Sequence, residues 1–319
     1  MSEFRPEGTL LNTASNKNAL SSLQGLKDAM LKGTVLEGRG ALCDKEHNLH
    51  VDLGAMKGII PRNEGAIGIE EGYVRDIALI SRVGKSVCFV IDEIRRNTEG
   101  RLYAVLSRKK AQLKAKEEYT DKLNDGEIIE VRVSHMESFG AFCDIGAGIT
   151  ALLPIEAISV SRIPHPSVRF FVGQSIKCIV HGRDDKGRIV LSHKELLGTW
   201  EENAALFRIG ETVPGIIRSV ESYGVFVELT PNLAGLAEYN PDVKEGMSAA
   251  VYIKNIIPEK RKIKLIIVDY YEEKLGLYKC QKGLKKEFLE IEYNKTLDII
   301  INDKNFDSKK SLKYLISGT

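Results

Sequence analysis

The stretch Gly126-Glu-Ile-Ile-Glu-Val-Arg-Val133, followed by Phe139-Gly-Ala-Phe142, returns further along the chain as Gly210-Glu-Thr-Val-Pro-Gly-Ile-Ile217 and Tyr223-Gly-Val-Phe226. The aromatic pairs are offset by 84 residues, from position 139 to position 223. Each copy holds short alternating apolar runs separated by turn residues, which predicts antiparallel strands. A repeat of this length and content indicates tandem small β-barrels.

A third copy becomes visible when the back halves of the repeats are compared. Gly84, Gly173 and Gly246 each open an apolar run, and a polar turn and a closing apolar run follow in every case. The front of this first copy is altered, because Arg39-Gly-Ala-Leu-Cys-Asp-Lys-Glu-His47 stands where the other copies carry an aromatic pair. We therefore expect the first barrel to serve as a scaffold or docking domain.

Helical periodicity appears at 18–30, 107–123 and 193–207, between or before the barrels. The predicted fold is all-β, with three tandem five-stranded barrels of the oligonucleotide-binding (OB) type joined by short helices. The predicted divisions are an N-terminal segment with an amphipathic helix (1–31), an altered barrel (32–110), a linker helix (111–123), a second barrel (124–195), a second linker helix (196–207), a third barrel (208–269) and a Lys-rich tail (270–319).

Composition narrows the class of protein. The chain has 319 residues, 43% of them hydrophobic, and a formal net charge of +2. It has no apolar stretch long enough to span a bilayer, and its first residues lack the pattern of a secretion signal, so we expect a cytoplasmic protein with no membrane partner. Five cysteines without a Cys-x-x-Cys pair favour reduced thiols. Because the net charge is small, any basic surface must be local.

The repeated aromatic pairs are the strongest functional signal. In OB barrels the first three strands offer an exposed face on which bases lie. We expect Gly140 and Gly224 to let the backbone bulge, so that aromatics three residues apart both face outward. An isolated pair of this kind is more often part of a core, but recurrence at matching register favours two stacking platforms, Phe139 with Phe142 and Tyr223 with Phe226. Stacking a base on such a ring contributes about 1–3 kcal/mol and tolerates any base.

Charged residues near these pairs complete the predicted face. Arg188 and its counterpart Lys262 open the closing strands and are placed to neutralise phosphates. Asp184 and Arg132 are weaker candidates for the same face. His181 and His193 lie near the closing hairpin of the second barrel and are further candidates, although scattered histidines are usually structural.

These features resemble the S1 RNA-binding domain, and the domain order is similar to the short, three-domain form of the bacterial small-subunit ribosomal S1 family over residues 5–269. The stretches that carry the resemblance are 60–66, 191–204, 228–238 and 256–260. The resemblance implies that the protein holds messenger RNA near the small ribosomal subunit and supports translation, with its N-terminal segment and first domain contacting small-subunit proteins.

The resemblance also implies an RNA face of two aromatics, a His, an Asp and an Arg in each domain. The second barrel matches with Phe139, Phe142, Asp184 and Arg188, but Pro154 stands at the His position. The third barrel keeps Tyr223 and Phe226 and has Lys262 for the Arg. It departs from the pattern with Glu238 at the His position and Pro258 at the Asp position.

Other classes of function remain open at this point. The spacing of Cys43, His47 and His50 allows three metal ligands on one hairpin, which would suit an enzyme. The residues between them, however, are typical of a turn exposed to solvent. The sequence contains no phosphate-binding loop or nucleophile motif, so we predict no enzyme activity, no cofactor and no metal. An interaction scaffold without RNA binding, or an RNA chaperone that acts off the ribosome, are the remaining alternatives.

Overall fold

The computed structural model describes residues 4–271, and within them the chain forms three closed five-stranded barrels. The all-β prediction is therefore confirmed. The strands of the first barrel are β1 (Leu36–Cys43), β2 (Leu49–Asp52), β3 (Lys57–Ile60), β4 (Ser86–Arg96) and β5 (Leu102–Ser107). Those of the second are β6 (Ile128–Glu137), β7 (Gly140–Gly146), β8 (Ile149–Pro154), β9 (Ser175–Arg183) and β10 (Ile189–Ser192). Those of the third are β11 (Thr212–Glu221), β12 (Gly224–Thr230), β13 (Leu233–Ala237), β14 (Ser248–Ile257) and β15 (Lys262–Tyr271).

The first and third barrels close in the same way. In each, the first three strands form an antiparallel meander, and the third strand pairs in parallel with the fifth, as Lys57–Ile59 does with Tyr103–Val105. Alternate residues fill the interior because successive side chains of a strand point to opposite faces. In the third barrel the interior includes Val225, Val227 and Leu265, each almost fully buried.

The helices differ from the predicted ones in length and number. The helix expected at 18–30 is two helices, α1 (Ala14–Leu20) and α2 (Leu23–Lys32). The break occurs because Ser22 caps α2, its side chain accepting a hydrogen bond from the Gly25 amide at 3.0 Å. A further short helix, α3 (Ile77–Ile80), lies in the connection between β3 and β4.

Both linker helices are shorter than predicted. The first, α4 (Arg108–Glu118), begins directly at the Ser107 cap and is followed by a 3-10 turn, so the prediction of 111–123 started late and ran too far. The second, α5, covers only Trp200–Ala204. Gly198 has a φ of 79° and ends the preceding turn, and Thr199 then starts α5 with a capping box to Glu202.

The described chain divides into two compact units. The first runs as far as His135 and includes Phe142–Leu152 and Phe171–Ile176, whereas the second contains Met136–Ala141, Leu153–Phe170 and the chain from Lys177 onward. Buried charges organise each of them. In the first unit, Glu7 is buried and accepts hydrogen bonds from Arg108 Nε at 2.8 Å and from Arg82 Nη1 at 2.9 Å. This anchors the N-terminal segment to the first barrel.

Asp144 extends this buried network. Its Oδ2 accepts a hydrogen bond from the Glu7 amide at 2.8 Å, and its Oδ1 accepts from the Gly146 amide at 2.9 Å. Burial and, to a lesser extent, the negative charge of Glu7 raise the pKa of Asp144 to about 7, against the lowering effect of these hydrogen bonds. The N-terminal segment is thus held by hydrogen bonds from both sides.

In the second unit, Glu228 is the corresponding buried charge. Arg218 donates to it from Nε at 2.8 Å and from Nη2 at 2.9 Å, and Arg169 forms a second ion pair with it. Asn232 ties the turn between β12 and β13 to the chain that follows β10, because its amide group donates to the carbonyl oxygens of Lys194 at 2.9 Å and Gly198 at 3.0 Å.

Cys43, Cys88, Cys143 and Cys178 are free thiols, and all but the half-buried Cys43 are buried. Burial raises the pKa of Cys143 to about 12, so this thiol stays protonated. Cys280 and the Lys-rich tail from position 272 onward lie outside the described residues. Among the helices that the structure describes, none has the length and apolar character needed to cross a bilayer.

Candidate nucleic-acid interface

The third barrel presents its aromatic pair at the hairpin between β11 and β12. Glu221 pairs with Gly224, so Tyr223 lies in a two-residue turn and is 67% exposed. Phe226 is half-buried on the outward side of β12, between the fully buried Val225 and Val227. The two ring centroids are 6.1 Å apart with an interplanar angle of 86°, an edge-to-face arrangement. Together the rings form an accessible apolar corner.

The backbone reason for this arrangement differs from the predicted one. The register shift of this hairpin lies in β11, between Ile217 and Ser219, and not at Gly224. Gly224 is required for another reason: it has a φ of 155°, and a Cβ there would lie 2.5 Å from the carbonyl oxygen of Ala237. Tyr223 and Phe226 project to the same side of the hairpin because Tyr223 belongs to the turn and is not bound by the alternation of the strand.

Strand register extends this corner across the barrel. Phe226 pairs with Ser219 on one side and with Leu236 on the other, Leu236 pairs with Lys264, and Lys264 pairs with Asn255. Paired residues project to the same face of a sheet. We call this line of residues the face row: Ser219, Phe226, Leu236, Lys264 and Asn255. Leu236 is 37% exposed and Lys264 is exposed. Sequence reasoning missed Leu236 and Lys264, because register cannot be read from one strand alone.

The predicted cation Lys262 is exposed at the first position of β15 and pairs with Ile257. It lies two residues before Lys264, so it projects from the same side of the strand but outside the face row. The preceding Arg261 has a left-handed φ of 46° and donates a hydrogen bond to Glu201 at 3.1 Å. Its charge is therefore already partnered.

In the second barrel, Phe139 lies in the turn before β7 and is 54% exposed. Its carbonyl oxygen accepts a hydrogen bond from the Ile155 amide at 3.0 Å, which fixes the backbone of the turn. The ring is thus displayed on an ordered turn, as Tyr223 is in the third barrel.

Phe142 is half-buried on β7, and its carbonyl oxygen accepts a hydrogen bond from Ser134 Oγ at 2.9 Å. The exposed His135 ring stacks on Phe142, with centroids 6.2 Å apart and planes at 18°. Sequence reasoning treated His135 as a structural histidine and did not pair it with Phe142. The alternation of β6 gave no signal for it, because this strand buries Val131 and Val133, and strict alternation would turn His135 inward as well.

Asp184 and Arg188 are brought together at the turn between β9 and β10. Arg188 Nε donates to Asp184 Oδ2 at 2.7 Å, and Asp184 Oδ1 accepts from the amides of Lys186 at 3.0 Å and Arg188 at 2.9 Å. The Arg188 hydrogen bond is the main cause that lowers the pKa of Asp184. Arg188 remains 68% exposed. The carboxylate thus orients a guanidinium whose remaining donors face solvent.

The other candidates have different surroundings. His181 is exposed on β9. Arg132 is half-buried beside the N-terminal segment, where a Cβ at Gly8 would lie 2.6 Å from its Nη1. His193 is completely buried; its Nδ1 lies 2.7 Å from the Lys177 carbonyl oxygen, and Phe170 contacts it edge-to-face. Burial lowers the pKa of His193 to about 4, so this histidine is neutral and structural, as is usual for scattered histidines, and RNA cannot reach it.

The three residues of the metal-site alternative do not come together. His50 Nε2 lies 3.1 Å from Asp44 Oδ2, whereas His47 Nδ1 lies 3.9 Å from Asp76 Oδ2, so the two rings engage different carboxylates. Among residues 4–271, no group of three or more His, Cys, Asp or Glu side chains is arranged to hold a metal ion. The hairpin that contains Cys43 therefore gives no support to the enzyme alternative.

Comparisons with known proteins agree with this architecture. Residues 122–194 match the S1 RNA binding domain. The chain is 31% identical over 294 residues to small ribosomal subunit protein bS1 of Mycolicibacterium smegmatis, covering 84% of this chain and 58% of that protein. It is 30% identical over 239 residues to the bS1 homolog of Bacillus cereus, covering 70% and 60%. The chain thus spans about three fifths of the length of these relatives.

A solved multidomain protein with nucleic acid binding domains from Streptococcus pneumoniae aligns with 89% of this chain and 93% of its own, at 14% identity and a TM-score of 0.25. That likeness is too low to add to the argument.

The fold and the displayed aromatics define a protein of tandem OB-type barrels whose middle barrel is an S1 RNA-binding domain. The chain is a relative of the bacterial small ribosomal subunit protein bS1, and the resemblance stated from the sequence is confirmed.

Proposed function

We propose that this protein binds single-stranded RNA, messenger RNA included, through its second and third barrels, and that it supports translation together with the small ribosomal subunit. The observation that carries the proposal is the matched exposure of the two turn aromatics, 54% for Phe139 and 67% for Tyr223. An exposed ring on an ordered turn offers a stacking surface, and a base that stacks on it contributes about 1–3 kcal/mol to binding.

Exposed charges of the same two barrels support the same function. Arg188 is oriented by Asp184 in the second barrel, and Lys262 and Lys264 are exposed on β15 of the third. Single strands suit such a face better than duplexes do, because their unpaired bases can splay out and stack. Preference among sequences is weak, since every base has a stacking face.

The N-terminal segment and the first barrel are the proposed contacts to small-subunit proteins. Glu7 ties this segment to Arg82 and Arg108, so the segment and the barrel would dock as one piece. The protein acts without enzymatic activity, cofactor or metal, in the cytoplasm. The names of its relatives, small ribosomal subunit proteins, support this part of the proposal.

The test is a binding titration of the full chain with an unstructured single-stranded RNA and with a duplex of the same length, at several salt concentrations. We expect the single strand to bind more tightly and its affinity to fall as salt rises, because phosphate contacts release counterions. Equal affinity for both RNAs, or no binding, would contradict the proposal and favour an interaction scaffold. Co-sedimentation with small subunits then tests the docking role separately.

A further inference from the structure

The face row of the third barrel contains a cation that the repeat does not share. Lys264 follows Lys262 by two residues, and the matching residue of the second barrel, two after Arg188, is Val190. The third barrel therefore carries two cations on β15 where the second barrel carries one at the corresponding positions.

Burial and register fix where the Lys264 side chain projects. Its neighbours Ile263 and Leu265 are buried in the barrel, so Lys264 faces outward by alternation. It pairs with Leu236, which pairs with Phe226. Adjacent strands lie about 4.8 Å apart, so the Lys264 backbone is about 10 Å from that of Phe226, across the exposed surface of Leu236.

The charge of Lys264 is available for a ligand. Within residues 4–271 no carboxylate forms an ion pair with it, in contrast to Arg261 and Arg188 on the same edge of their barrels. A lysine offers a compact charge on a flexible stem, which suits contact with a phosphate whose position varies. Along the row an aromatic ring (Phe226), an apolar side chain (Leu236) and a cation (Lys264) follow one another. This order matches the base, the sugar and the phosphate of a nucleotide.

We infer that Lys264 binds an RNA phosphate in the third barrel, next to a base stacked at Phe226, so that the strand crosses β12, β13 and β15 along the face row. This inference rests on the proposed RNA-binding function and names a contact within it. The second barrel, with Val190 in this place, uses Arg188 instead, so the two barrels hold the backbone at different points.

The experiment compares Lys264→Gln with Lys244→Gln, in a full chain that already carries Phe139→Ala and Phe142→Ala so that the third barrel dominates binding. Lys244 is an exposed lysine of the loop before β14 and lies outside the face row. We expect Lys264→Gln to weaken single-stranded RNA binding about threefold to tenfold for every sequence tested and to reduce the salt slope by about 0.7, the loss of one phosphate contact. Lys244→Gln should change neither.

Two further variants separate this inference from the proposed function. Tyr223→Ala with Phe226→Leu removes the platform itself, and Lys262→Gln measures the neighbouring cation. If the platform variant weakens binding while Lys264→Gln behaves like Lys244→Gln, the inference is wrong and the function stands. If the platform variant also leaves binding unchanged, the proposed role of this barrel fails with it. Fluorescence of Trp200, the single tryptophan, checks folding because this residue packs on the core of the third barrel.

Discussion

The interiors of the first and third barrels are built in the same way, but the outward faces of the two barrels differ. A Cβ at Gly38 would lie 2.6 Å from Val51 Cγ1, and a Cβ at Gly215 would lie 2.5 Å from Val227 Cγ1. The same correspondence holds for Gly58 against Leu106 and Gly235 against Leu265, at 2.5 Å in both cases. These matched contacts align the two barrels residue by residue. A Cβ at any of these glycines would collide with a buried side chain of the same barrel, so the two interiors are built alike.

The alignment shows what replaced the aromatic pair in the first barrel. His50 pairs with Ile59, which pairs with Val105, and these three occupy the places of Phe226, Leu236 and Lys264 in the face row. His47 lies three residues before His50, where the third barrel has Tyr223. The sequence suggested that this hairpin has no counterpart of the pair, whereas the structure places two imidazoles there.

The imidazoles are held by acidic partners. His50 contacts Asp44, and His47 lies near Asp76, which Arg62 also binds at 2.7 Å through Nε. A face with carboxylates beside its rings repels phosphates. The comparison teaches that one kind of barrel interior supports two different outward faces, and the proposed functions of the two barrels differ through the residues of those faces.

The largest predicted effect tests the interior rather than the face. Glu228→Ala removes the partner of Arg169 and Arg218, whose side chains are only 8% and 10% exposed. Leaving buried cations unpaired costs about 3–5 kcal/mol, so the third barrel should unfold at a clearly lower denaturant concentration. The fluorescence of Trp200 measures this unfolding. The corresponding residue of the first barrel, Asp52, is exposed, and Asp52→Ala should change stability by about 0.5 kcal/mol or less.

Acid should reproduce part of this loss. Burial alone raises the pKa of Glu228, but the hydrogen bonds and charges of Arg218 and Arg169 outweigh it and hold the pKa below its usual value. A carboxylate with a lowered folded pKa contributes stability above the unfolded pKa and loses it as pH falls through the folded pKa. Stability of the Glu228→Ala chain should therefore depend less on pH in the acid range. Equal acid sensitivity in the two chains would show that Glu228 is not the group responsible.

The next largest effect on RNA binding should come from removing the platform of the second barrel. Phe139→Ala together with Phe142→Ala should weaken single-stranded RNA binding about tenfold or more, because two stacking surfaces are lost. Titration measures the affinity, and circular dichroism confirms that the chain stays folded. The control is Tyr73→Ala, a highly exposed tyrosine of the first barrel that is outside the aromatic repeats. Unchanged affinity in the double variant would overturn the platform assignment.

The repeat made the barrels predictable, because a pattern that occurs three times reveals strands that one copy would leave ambiguous. Helix lengths were less predictable, since the caps at Ser22 and Thr199 interrupt stretches whose apolar periodicity continues. The aromatic candidates came from the sequence as well. Lys264 did not, because the residues of the face row are distant in sequence and meet only through the parallel pairing of β13 with β15.

The smallest predicted effect is the sharpest test of the comparison. Tyr223→Ala with Phe226→Leu should weaken RNA binding about threefold in the otherwise unchanged chain, less than the double variant of the second barrel, because stacking is lost where Glu238 and Pro258 already depart from the S1 pattern. The matched variant in the first barrel is His47→Ala with His50→Leu, which alters the same places of the same fold. We expect its affinity to equal that of the unmodified chain, as measured by the same titration. A loss in the first barrel as large as in the third would mean that the imidazole face also holds RNA, and that the difference between the two barrels is one of chemistry rather than of function.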